Sequence, residues 1–495
     1  MDERRRTASR RGPRTALAAV AMGAVLALSA NASAGVRGPI PITQVSSDPF
    51  TNTSSYHKTQ VEPDSFAWGS TIVGVFQTGR FSDGGSDDTG WATSTDGGKH
   101  WTHGFMPSTT VYSDPPGPYA RVSDPSVGYD AKHGVWLGES LTVDTKNSVI
   151  VNRSVDGGLT WSAPVVVTAP AGGSDYDKTW VACDSWASSP NYGTCYSEVD
   201  DYVNGDTLTM SRSTDGGQTW KTVTVSGAHG LGGQPLAQPN GTLVVPFWAD
   251  AGQIQSIVWT DGGKTFGGPY TIAQQTDHGV AFIRTEPLPS AELDASGKVY
   301  VVWQDCAFRT GCSSNDIVMS TSKNGTKWSK EVRIPIDPVD STVDHFLPGI
   351  GVDPATSGSS AHLALTYYYY PDAKCTFATC RIYAGFVDST DGGATWTPSL
   401  PVLPKPLKLA WLPSAGGRFM GDYISTSISG GNAFPVMPDA KKGTCVLGDI
   451  TACNEFMVSP TNGLALAAGT IPVGAERPLA GARSDHATWI HPRSF

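Results

Sequence analysis

Charge is scarce in this chain. Only 16% of its 495 residues are Asp, Glu, Lys or Arg, and 45 acidic side chains face 35 basic ones. Soluble domains usually carry about 25% charged residues, so long surface helices with polar outer faces are not expected. Beyond the first 34 residues there is no block of Lys and Arg. That excludes a nucleic-acid partner, because phosphate contacts need a concentrated basic surface. No apolar run reaches the ~20 residues that span a bilayer, so no membrane insertion is expected. A His-Glu-x-x-His zinc motif, an EF-hand loop and a C-x-x-C pair are also missing. No cofactor is therefore required, and a bound Ca2+ in a loop such as Asp83 to Asp88 has no motif behind it. No Ser/Thr/Pro-rich linker divides the sequence.

What is abundant fits strands and tight turns: 56 Gly, 35 Pro and 15 Trp. An all-β protein is the expectation. Residues 1–34 read as a secretory signal peptide. Arg4, Arg5, Arg6, Arg10, Arg11 and Arg14 precede an apolar stretch from Thr15 to Leu28, and Ala32-Ser33-Ala34 supplies the small-x-small cleavage pattern. The mature chain, residues 35–495, is then secreted after cleavage near Ala34. The eight cysteines suit that oxidising compartment. They fall as close pairs, Cys183 with Cys195, Cys306 with Cys312, Cys375 with Cys380 and Cys445 with Cys453, and local disulfides are the simplest pairing.

An internal repeat is the strongest signal. Ser94-Thr95-Asp96-Gly97-Gly98-Lys99-His100-Trp101 recurs from Ser154 to Trp161, from Ser213 to Trp220 and from Ser389 to Trp396. Thr260 to Phe266 and Ser322 to Trp328 are degraded copies. Asp-Gly and Asn-Gly accept positive φ in a tight turn, the Asp side chain caps backbone N–H groups, and the Trp packs between sheets. Each copy therefore marks a strand-turn-strand. The copies start about 59 residues apart on average, which suits one four-stranded propeller blade with its loops. After Trp396, three strand-like runs lack the repeat: Gly421 to Ser427, Ala433 to Met437 and Asn454 to Val458. Pro41-Ile42-Thr43-Gln44-Val45 could complete a seventh blade and close the ring. The expected fold is a single β-propeller of four-stranded antiparallel blades, seven favoured and six the alternative, stapled by local disulfides.

The six copies resemble the Asp-box, or BNR repeat, of the sialidase superfamily. The resemblance implies that the boxes lie on outer hairpins away from the substrate, and that the protein is an exo-acting, sialidase-like glycosidase releasing a terminal acidic sugar. It also implies a Tyr nucleophile activated by a Glu, with an Asp as acid/base; Tyr423, Glu286, and Asp64 or Asp124 fill these roles. Val332-Arg333-Ile334-Pro335 looks like the family's arginine segment but follows the fifth box and reads as an outer strand.

Polar residues upstream of each box supply the remaining candidates. Arg80, Arg121, Arg284 and Arg418 could grip a sugar carboxylate, since Arg pairs with carboxylate bidentately in a fixed plane. His57 and His345 support a runner-up, a polysaccharide lyase in which His abstracts the C5 proton of a uronate. Terminal rhamnose-glucuronate linkages are one such substrate. A third reading is a non-catalytic glycan-binding propeller that stacks sugars on Trp68, Trp180, Trp248 or the Tyr367-Tyr368-Tyr369-Tyr370 run. The partner in every case is a glycan, and the chain is expected to be a monomer.

Overall fold

A computed structural model of the chain describes residues 40–250, 252–261 and 265–479. The expected signal segment, and Gly262, Gly263 and Lys264 of the fourth repeat, lie outside the described residues. The described residues are all-β, with four short 3-10 turns as their helical content. They carry all eight cysteines, joined as Cys183–Cys195, Cys306–Cys312, Cys375–Cys380 and Cys445–Cys453.

Antiparallel pairing sorts the strands into consecutive runs of four. The first run holds Gln60–Trp68, Thr71–Arg80, Ser86–Ser94 and Thr102–Phe105. The second holds Arg121–Asp130, Val135–Val143, Val149–Ser154 and Val165–Thr168. Tyr176–Cys183, Cys195–Asp201, Thr207–Ser213 and Lys221–Leu231 make the third. Leu236–Ala237, Leu243–Ala249, Gln253–Trp259 and Phe266–Gln274 make the fourth. The fifth has Ser290–Leu293, Val299–Asp305, Asp316–Ser322 and Val332–Arg333. The sixth has Asp344–Val352, Leu363–Tyr370, Tyr383–Ser389 and Leu400–Pro401. The last takes Ser425–Ser429, Asn432–Ala440 and Glu455–Pro460 from the end of the chain, and Ile42–Gln44 from its start pairs antiparallel with Glu455–Pro460.

Burial falls from the inner to the outer strand of a run. Val135–Val143 and Val299–Asp305 are buried along their whole length, as strands covered on both faces must be, and both carry Val and Trp. The fourth strand Thr102–Phe105 is half-buried to exposed. The apolar core consists of layers between neighbouring runs. Val73, Val75, Trp91 and Met106 of the first run meet Val127 and Trp136 of the second, and Phe346, Tyr368 and Phe386 of the sixth meet Ile428, Met437 and Phe456 of the last. The Tyr run belongs to this packing: Tyr367, Tyr368 and Tyr370 are buried.

The innermost strands also bond to one another across the runs. Val127 N donates to Asp64 Oδ2 at 2.8 Å, Val181 N to Ser126 Oγ at 2.9 Å and Ile350 N to Ser290 Oγ at 3.1 Å. Ser425–Ser429 packs against the innermost strands of both the sixth run and the first. Thr426 Oγ1 donates to the Gly349 carbonyl at 3.0 Å, and the Ser65 and Ser427 hydroxyls lie 2.9 Å apart.

Each repeat hairpin connects the third strand of its run to the fourth. In the second run, Ser154 Oγ accepts from Gly158 N at 2.9 Å, Asp156 Oδ1 accepts from Leu159 N and Thr160 N, and Trp161 Nε1 donates to the Gly158 carbonyl. The same set recurs from Ser213 to Trp220. The second glycine of the pair is a contact point. It has φ of 79° at Gly158 and 78° at Gly217. A Cβ there would lie 2.9 Å from Val73 and 2.7 Å from Leu137, both in the preceding run. The hairpin thus clips each run onto the one before it, and only Gly satisfies both the φ and the space.

Candidate functional site

Four innermost strands break their alternation with a bulge near the start. Register shifts fall between Val61 and Asp64, Ser123 and Ser126, Asp177 and Thr179, and Phe346 and Gly349. The bulged residues Glu62, Asp124, Lys178 and Leu347 take φ of 52°, 46°, 37° and 50°. Non-glycine residues in this region are strained, and such strain persists where the surroundings fix it. Three of the four carry ionisable side chains, and all three line one cavity of about 270 Å³ at the strand-start end of the molecule. Arg80, Asp83, Asp177, Asp206, Arg284, Glu286 and Asp422 complete its charged wall.

The cations are held in place from behind. Arg284 Nε donates to Asp422 Oδ1 at 3.1 Å and its Nη2 to Asp422 Oδ2, a bidentate pair. Burial works against the charged guanidinium, and the carboxylates of Asp422, Glu286 and Glu62 more than offset it. Arg80 Nη1 donates to Gln77 Oε1 at 2.9 Å and to the Gly85 carbonyl at 3.3 Å, while its buried Nε has no protein partner. The two guanidiniums lie 4.8 Å and 4.9 Å from the Phe419 ring, which spaces them. Lys178 Nζ stands over the rings of Tyr423 and Trp180 at 3.9 Å and 4.4 Å.

The carboxyl groups are pushed the other way. Burial, with the charges of Asp124 and Asp422, holds Glu62 well above the usual carboxylate range. Gln77 Nε2 donates to its Oε2 and Asp422 N to its Oε1. Burial and the neighbouring Asp177 raise Asp124 to about 6, with Lys178 opposing. The cavity therefore sets two carboxyl groups raised toward the protonated form, Glu62 and Asp124, beside three cations. That combination suits general acid–base work on an anionic substrate.

Of the candidates from the sequence, Asp124, Glu286, Arg80 and Arg284 come together here. Tyr423 lies behind Lys178, and its hydroxyl donates to the Pro125 carbonyl at 3.0 Å. Burial and the surrounding Glu62, Asp124, Asp64 and Asp422 raise its phenol well above the ordinary range. Arg121 is bound at the rim, 2.7 Å from Asp83 Oδ1. Arg418 donates to the Leu412 carbonyl at 2.6 Å, outside the wall. Asp64 lines a different cavity at the opposite end. Neither histidine lines the strand-start cavity. His57 is buried among Asp48, Asn52, Ser55 and Asp87, and His345 Nδ1 bonds to the Asn315 carbonyl at 3.0 Å. Glu62, Lys178 and Asp422 were absent from the sequence-derived set of reactive residues. The signal that could have found Glu62 is the recurrence of an acid-Pro step, Glu62-Pro63 and Asp124-Pro125, at the starts of successive innermost strands.

Asp316, Asp337 and His345 come close enough to hold a metal ion, but Arg309 and Arg333 already neutralise both carboxylates. In the Asp83 to Asp88 loop, Asp83 meets Arg121, Asp87 meets Ser55 and Asn52, and Asp88 meets Ser113.

No protein-family model matches the chain, and no curated protein matches it. Among solved structures, the leech intramolecular trans-sialidase complexed with 2,7-anhydro-Neu5Ac is similar over 66% of this chain and 67% of its own, at 12% identity and a TM-score of 0.44. A Hadza microbial sialidase is similar over 63% of this chain and 64% of its own, at 18% identity and a TM-score of 0.41. A polysaccharide lyase, an ulvan lyase bound to a GlcA(1-4)Rha3S unit, is similar over 82% of this chain and 96% of its own, at 10% identity and a TM-score of 0.46. The chain thus spans about two thirds of the length of the two sialidases.

Proposed function

We propose that residues 35–495 are a secreted, monomeric, seven-bladed β-propeller that cleaves a terminal acidic sugar from glycans by hydrolysis. Seven blades and a closed ring are supported by the pairing of Ile42–Gln44 with Glu455–Pro460 and by the contacts of Ser425–Ser429 with the innermost strands on either side. In this reading the repeats are Asp boxes that join blades. Secretion is supported by four local disulfides and the signal-like residues 1–34. No helix among the described residues is long and apolar enough to cross a membrane.

The observation that carries the functional reading is the convergence of Arg80, Lys178 and Arg284 with Glu62 and Asp124 on one cavity. The cations receive the sugar carboxylate. Glu62, held toward its protonated form, gives its proton to the leaving oxygen, and Asp124, ionised above about pH 6, takes a proton from water or stabilises the developing positive charge at the sugar. This places the acid–base work on Glu62 and Asp124 rather than on Tyr423 with Glu286. Uronate lyase action stands second, favoured by the protonated Glu62, which could neutralise a uronate carboxylate as its C5 proton leaves.

The test incubates the mature chain with a fluorogenic sialoside and a panel of acidic glycans, following fluorescence and the ultraviolet absorbance of an unsaturated product. Fluorescence or reducing-end release lost in Asp124→Asn supports hydrolysis. Absorbance growth lost in the same variant replaces hydrolysis with lyase action. Glycan retention without either product makes the protein a binding module.

A further inference from the structure

A second cavity, of about 550 Å³, opens at the opposite end of the innermost strands, within the ~300–1,000 Å³ of typical small-molecule sites. Every run contributes to its wall, from Asp64 in the first to Ser429 in the last. Its chemistry is one-sided. Asp64, Glu292 and Asp353 supply carboxyl groups, and among the described residues that line it there is no Lys, Arg or His. Phe66, Trp68, Tyr129, Trp180 and Trp186 supply aromatic rings. Trp68 is 41% exposed, with its ring 5.3 Å from that of Tyr129.

Asp64 bears on Glu292. Burial raises Asp64 to about 7, and burial together with the charge of Asp64 raises Glu292 to about 8. The cation that bears on Asp64 is Lys178, whose ammonium already sits over Trp180 and Tyr423. Two carboxyl groups in an aromatic enclosure without a basic lining residue have no counter-charge of their own and hold their protons to near or above neutral pH. A neutral sugar would stack on the rings and leave them protonated; a bound cation supplies the missing counter-charge and lets them ionise.

We propose that this second cavity binds an organic ammonium cation, with the charge facing Asp64 and Glu292 and the alkyl groups against Trp68 and its neighbouring rings. The site is separate from the strand-start cavity, and its occupancy does not depend on the activity proposed there.

The probe is choline, compared by titration calorimetry on the mature chain with 3,3-dimethyl-1-butanol, the isostere with carbon in place of nitrogen. Choline is expected to bind saturably and the isostere at least about fivefold more weakly. Glu292→Gln and Trp68→Ala should each weaken choline by about fivefold or more. Arg284→Ala, in the other cavity, should leave it unchanged. Near-ultraviolet circular dichroism confirms that each variant is folded. Equal binding of both compounds, unaltered choline binding in folded Glu292→Gln, saturable binding of a methyl glycoside in place of choline, or no choline binding by the folded wild-type chain would each overturn the proposal.

Discussion

The repeat hairpins and the strand-start cavity treat carboxylates in opposite ways. In the repeat hairpins, hydrogen bonds from neighbouring groups hold the Asp side chains ionised. At Asp215, burial pushes upward, and Thr219, Ser213 and Gln218 more than offset it, bringing the group to about 2. In the strand-start cavity, burial and like charges hold Glu62 and Asp124 toward the protonated form. The hairpin carboxylates are satisfied, recur at the same place in five of the runs and hold neighbouring runs together. The cavity carboxyls vary in type and position between runs, and Glu62 and Asp124 sit on strained backbone. In a repeat protein, then, the strict repeat carries the scaffold and the variation between runs carries the site.

That contrast can be broken most sharply at Asp124. Asp124→Asn should lower turnover of an acidic glycan by about 10²–10⁴-fold, measured as initial rate, with an unchanged or higher melting temperature above pH 6 because the amide has no charge to bury. Gly158→Ala should do the reverse. Its φ of 79° and the 2.9 Å approach to Val73 predict a loss of about 2–4 kcal/mol in urea unfolding, with kcat of the folded fraction retained.

The pH dependence of stability sharpens the comparison. Burial raises Glu139, Glu292 and Asp344 to about 8, so each binds a proton folded that it has released unfolded. Their contribution is full below the unfolded pKa and is lost as pH rises through about 8. Asp215 is depressed, so its contribution is present above its unfolded pKa and is lost as pH falls through about 2. The melting temperature is expected to peak between about pH 4 and 5 and to fall on both sides, which a calorimetric series would resolve. Smallest is Asp156→Ala, which removes one capping carboxylate and should cost about 1 kcal/mol in the same unfolding experiment.

The hairpins were legible in the sequence because everything they need lies within eight residues: a Ser and an Asp that cap, two glycines at positive φ and a Trp that returns to the second of them. The strand Ile42–Gln44 was legible too. The repeat links a third strand to a fourth, so a run completed by the N-terminus has no such link to carry one. The cavity was less so. Arg80, Asp124, Arg284 and Glu286 stood out, but choosing the inward residue of a strand assumes regular alternation, and a bulge inverts it. Between Val61 and Asp64 the extra residue turns Glu62 to the strand-start cavity and leaves Asp64 in the opposite one. His57 precedes one innermost strand and His345 lies in another, yet hydrogen bonds take them up, His57 within its own loop and His345 with Asn315.

The central claim is that the strand-start cavity performs acid–base chemistry through Glu62 and Asp124. Its most direct test is the pH profile of kcat/KM for whichever acidic glycan the wild-type chain cleaves. The account predicts an ascending limb near pH 6 that disappears in Asp124→Asn, and loss of the descending limb in Glu62→Gln. A profile left intact by both substitutions, in variants that remain folded, would contradict it.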